Sequence, residues 1–98
     1  MTDPIAKAAE ILSDHRESID RLDIILIYLL AERISHTKQI GKLKLKHDLP
    51  PSDLVREAAQ MANYELLAKR IGLNPVFVKS VLRLIIDEAI SNFPKKLI

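Results

Sequence analysis

Between Pro4 and Pro50 the chain contains no proline, and its apolar residues recur on a seven-residue period. Ile5, Leu12, Ile19, Leu26 and Ile40 share one register, interrupted only by Arg33. Three residues later in each repeat stand Ala8, His15, Leu22, Leu29, His36 and Leu43. This spacing makes the apolar seam of a long helix that packs against other helices. Asp3-Pro4 opens it with an N-cap and a proline at the first helical position, and Pro50-Pro51 closes the segment. Gly41 falls inside the pattern at a cost of about 1 kcal/mol against Ala. The predicted helix covers residues 4–46, roughly 60 Å at the α-helical rise.

Two shorter helices follow from the punctuation. Ser52 is read as the N-cap of the second, which runs to Ile71 and stops at Gly72. Asn74-Pro75 repeats the cap-plus-proline signal for a third helix, reaching Asn92 and ending before Pro94. Its apolar face comprises Phe77, Val78, Val81, Leu82, Ile85, Ile86, Ala89, Ile90 and Phe93. Two glycines in all and no strand–turn alternation give an all-α fold, one domain over residues 1–98. Each of the shorter helices is about half as long as the first, so folding back covers only part of the seam. A second copy is the simplest cover, and an antiparallel homodimer is expected.

Several chemistries are excluded. With no Cys there is neither a disulfide nor a thiolate metal site. His15, His36 and His47 lack a metal-ligand spacing, and HExxH is absent, so no metal site is expected. His15 and His36 are read as partly buried packing residues. No serine sits in an activating motif, no glycine-rich phosphate loop exists, and no cofactor is expected. Net charge is +2, and the densest basic stretch, Lys38, Lys42, Lys44 and Lys46, is too narrow for a nucleic-acid face. No apolar run is long enough to cross a membrane, and MTDPIAKAAE has no apolar signal core. A cytoplasmic protein is expected.

The charges that remain are arranged. A guanidinium buried on the seam without a partner would cost several kcal/mol, so an anion is expected at Arg33. Lys44 lies eleven residues on, about 20° away in direction and roughly 16 Å along the axis. The two face the same way and can lean towards a small anion between them. Asp53, Arg56, Glu57 and Gln60 form one polar stripe on the second helix. An ordinary solvated face is the plainer reading of that stripe, but the Pro50-Pro51 turn can bring its start beside the end of the first helix. Arg16 lies about 25 Å from Arg33 along the rod. It either pairs with Asp20 at i+4 or meets Arg33 of a second chain across a two-fold axis. Together these residues make a cationic pocket with one or two acidic groups, suited to a small dicarboxylate bearing a hydroxyl.

Arg16-Glu17-x-Ile19-Asp20-x-Leu22-Asp23, then Leu29-Leu30-Ala31-Glu32-Arg33, then Ile40-Gly41-Lys42-x-Lys44, then Pro50 and Asp53-x-x-Arg56-Glu57 form a pattern that resembles the all-helical chorismate mutases. The resemblance covers roughly residues 12–93. It implies an intertwined dimer of three-helix chains that converts chorismate to prephenate without a covalent intermediate, in aromatic amino-acid biosynthesis. By position it gives Arg33 one substrate carboxylate and Arg16 from the partner chain the other. Lys44 would contact a carboxylate and the ether oxygen. Glu57, with the backbone near Asp53, would hold the ring hydroxyl, and Arg56 would sit at the pocket wall. On the third helix the family commonly has a small polar residue where this chain has Ala89, and Gln or Glu where it has Phe93. Ser91 and Asn92 are the nearest polar groups to that end. The resemblance also leaves open a related isochorismate-pyruvate lyase, or a non-catalytic helical dimer.

Overall fold

The computed structural model describes residues 3–92, and among these the chain is three α-helices with no strand. Helix α1 is Pro4–Lys46, α2 is Leu54–Ile71 and α3 is Pro75–Ser91. The chain divides into two compact units, Met1–Ser35 and His36–Ile98.

The first unit is helical from Pro4 onward. The Asp3 carboxylate accepts from the Ile5 backbone N–H at 3.0 Å, which satisfies one of the donors that a helix start leaves unpaired. Along this unit the apolar seam is exposed: Ile19, Leu22, Leu26 and Leu29 each keep more than half of their surface. His15, expected to be partly buried, is exposed as well. The reason is the same for all of them, since a lone helix has no second layer to bury its apolar stripe.

The second unit holds the end of α1, a turn, and the pair α2–α3. Here α1 ends with Asp48 in the left-handed region at φ 55. The N–H of Leu49 reaches back to the carbonyl of Lys44 at 2.8 Å, and that of Asp48 to Leu45 at 3.4 Å. This double return is a Schellman stop, and Asp is among the few non-glycine residues that tolerate it. Helix α2 ends in the same way: Gly72 has φ 79, and Leu73 N–H bonds the Ala68 carbonyl at 2.8 Å. The start of α2 corrects the sequence reading. Its N-cap is Asp53, whose carboxylate accepts from Arg56 N–H at 3.0 Å, so the helix begins later than a Ser52 cap would place it. An ionised carboxylate is the stronger acceptor for a helix N-terminus, where the macrodipole favours negative charge.

Helices α2 and α3 pack against each other. Ala68 and Ile86 are the buried residues at their core, at 1% and 7% exposure. Val78, Leu82, Ile85, Ile86 and Ala89, spaced as one helical stripe, are all at least partly buried. Phe77 and Val81, expected on the same face, are exposed. Each precedes a stripe residue by one position and is therefore turned by about 100° from it. His36 is also exposed, against the expectation of partial burial. Phe93 lies outside the described residues.

Candidate active site

Arg33 belongs to the first unit, where it is partly buried. Its Nη1 atom is buried and finds no hydrogen-bond partner among the described residues. Guanidinium nitrogens out of water and unpaired are costly, by about 1–3 kcal/mol for a neutral group and more for a charged one. Arg16 lies in the same unit and is exposed.

In the second unit the turn between α1 and α2 is tied back to α1 by Lys44. Its ammonium donates to the Pro51 carbonyl at 3.2 Å. Lys44 is itself partly buried, so its charge works with less screening than a fully solvated lysine. The contact fastens the Pro50-Pro51 turn to the end of the first helix, whereas the element that α2 packs against is α3. Within the polar stripe of α2, Asp53 and Arg56 are exposed, while Glu57 and Gln60 are partly buried. The Asp53 carboxylate is committed to capping Arg56 N–H.

Glu57 is the least exposed acid here, with 13% of its side chain accessible. A guanidinium nitrogen of Arg83, on α3, stands 3.9 Å from Oε1 of Glu57. The same nitrogen is 3.5 Å from Oδ1 of Asp87. The i,i+4 pair Arg83–Asp87 is readable in the sequence, but the cross-helix contact to Glu57 is not, because it depends on how α2 and α3 are rotated against each other.

On α3 Ala89 is partly buried and brings no polar atom. Its polar neighbours do not compensate. The Asn92 amide donates to the carbonyl and to Oε1 of Glu88 at 2.9 and 2.8 Å. The Ser91 hydroxyl donates to the Glu88 carbonyl at 2.9 Å. Both donors serve the end of the helix. A cavity of about 390 Å³ opens between α2 and α3, lined by Met61, Glu65, Pro75, Val76, Lys79, Ser80 and Arg83, and it contains none of the residues expected from the sequence. Among the described residues no group of acids and histidines could hold a metal ion, and no helix is long and apolar enough to cross a membrane.

The fold and these charges define a class: an all-helical protein whose cations and one little-exposed carboxylate, Glu57, are set at the ends and faces of helices. Residues 15–92 match the family model for chorismate mutase type II. The T-protein of Haemophilus influenzae is 37% identical over 83 residues, covering 85% of this chain and 22% of that protein. The T-protein of Enterobacter agglomerans is 32% identical over 74 residues, covering 76% and 20%. A bifunctional chorismate mutase/prephenate dehydratase of Buchnera aphidicola is 31% identical over 75 residues, covering 76% and 20%. The chain thus spans about a fifth of the length of these curated relatives. It belongs to the chorismate mutase type II family, whose chemistry is an isomerisation.

Proposed function

We infer that this chain catalyses the rearrangement of chorismate to prephenate as a homodimer. The observation that carries this reading is the buried, unpaired Nη1 of Arg33, the group that a substrate carboxylate would satisfy. Membership of the family names the dianion.

A pericyclic rearrangement needs no nucleophile. Its rate rises when the protein holds the compact conformer and stabilises charge that grows as the ether bond breaks. In this reading Arg33 binds one carboxylate, and the partner subunit's Arg16 binds the other. Lys44 contacts a carboxylate and the ether oxygen, where negative charge develops. Glu57, with the backbone near Asp53, accepts the ring hydroxyl, and Arg56 orients these groups from the wall. Ala89 contributes shape without a polar contact. The exposed seam of the first unit supports the dimer, since four large aliphatic residues along it, Ile19, Leu22, Leu26 and Leu29, stand in water in the single chain.

The test is to incubate the purified protein with chorismate and follow prephenate. Turnover above the uncatalysed background is expected. No turnover, or release of pyruvate and salicylate from isochorismate instead, would overturn the assignment.

A further inference from the structure

We propose that Arg83 is a positioning residue for the reaction, keeping the Glu57 carboxylate aimed while leaving its acceptor sites open for the substrate hydroxyl. The inference rests on the chorismate reading of the site.

The geometry is specific about what Arg83 does. One guanidinium nitrogen serves two carboxylates, Glu57 on α2 and Asp87 on its own helix. The Asp87 contact is shorter, at 3.5 against 3.9 Å. Burial reverses their weight. The Asp87 side chain is 61% exposed, so water and salt screen its attraction, whereas that of Glu57 is 13% exposed. A carboxylate so little exposed feels a nearby counter-charge with less screening. Arg83 supplies one across the α2–α3 packing. Asp87, spaced i,i+4, steadies the guanidinium from the solvent side.

The separation of 3.9 Å matters in its own right. It lies beyond hydrogen-bond range, where N–H···O contacts fall at about 2.7–3.2 Å. Arg83 therefore lends Glu57 a positive field without occupying its lone pairs. A carboxylate locked in a bidentate fork with arginine would have fewer acceptor sites to give a ligand hydroxyl. The arrangement suits a group whose task is to accept a proton donor from a small molecule. Glu57 also sits in the first turn of α2, where the helix N-terminus favours negative charge.

The test compares the wild type, Arg83→Ala, Arg83→Lys, Glu57→Gln and the double variant Arg83→Ala/Glu57→Gln by steady-state kinetics on chorismate, with thermal melting in parallel. Arg83→Ala is expected to lower kcat/KM at least about tenfold, chiefly through KM, because the hydroxyl contact is made in the ground state as well as in the transition state. Arg83→Lys, which keeps the charge, is expected to recover part of that loss. In the Glu57→Gln background, Arg83→Ala is expected to cause little further loss, since it acts through the carboxylate. An equal loss in both backgrounds, or a loss that tracks a fall in melting temperature, would make Arg83 a structural residue and overturn the proposal. An active wild type with unchanged Arg83→Ala kinetics overturns the Arg83 role alone. An inactive wild type overturns the reading beneath it as well.

Discussion

Glu65 lies between Lys79 on α3, at 3.4 Å, and Lys69 on its own helix, at 3.6 Å. The Lys79 charge, with its hydrogen bond, is the main reason that the Glu65 carboxyl is held below its ordinary value. A lowered folded value means that the stabilisation is present above the unfolded carboxylate range and is lost as pH falls through the folded one. The group is open to solvent, so the gain is small and salt-sensitive. Lys79→Met is therefore expected to lower the melting temperature slightly at neutral pH and low salt. That gap should close below the usual glutamate range of about 4.3, and also in about 1 M salt. Melting curves against pH check this, and a gap that survives in acid would exclude the ion pair as its source. The residue scale is where the sequence was least legible. Lys69 is visible from Glu65 by i,i+4 counting, but Lys79 and the Arg83–Glu57 contact are cross-helix pairs fixed by packing. Arg33 is legible as a cation on an apolar seam, because it interrupts the periodicity, but the burial of its unpaired Nη1 is not.

At the scale of elements, helices α1 and α2 stop by the same device on different residues. Asp48 and Gly72 both turn left-handed and return their following N–H groups to the last turn. Gly72 was legible as a stop because glycine pays nothing for positive φ. Asp48 was not, because the two prolines that follow it drew the boundary. The Ser52 cap was misplaced for a related reason: Ser and Asp are both good caps, and sequence alone does not rank neighbours whose choice depends on the path of the turn. Gly72→Ala tests the stop directly. A Cβ at Gly72 would meet nothing within 4 Å, so any cost is that of the backbone conformation. The expected loss is about 1 kcal/mol, a fall of about 4–8 °C in melting temperature for a chain of this size. Thermal denaturation by circular dichroism reads it. An unchanged melting temperature would mean that the turn relaxes at no cost.

At the scale of the whole molecule, the described chain buries few residues while large aliphatic side chains stand exposed. Helix existence and, apart from the start of α2, helix bounds were legible because Pro, Gly and the cap residues punctuate the chain, but what covers the seam is not written in one chain's contacts. The proposed answer is a second copy, and it makes a demand on the site as well as on the mass. By gel filtration or ultracentrifugation the protein should behave as roughly twice the 11.1 kDa chain, and a mass near that of one chain would refute the dimer. The sharper consequence concerns Arg16 and Arg33. They stand too far apart along one helix, roughly 25 Å, to share a small ligand, so each site would take one arginine from each chain. Arg16→Ala and Arg33→Ala are each expected to cut kcat/KM by about a hundredfold or more, the cost of removing one charge-stabilising donor. Mixing the two inactive proteins under conditions of subunit exchange should then restore activity. A heterodimer would carry one site with both substitutions and one with neither, so recovery should approach half of the wild-type activity per heterodimer. If labelled subunits demonstrably exchange and the mixture stays inactive, the two arginines do not meet across the interface, and the cross-chain site is wrong.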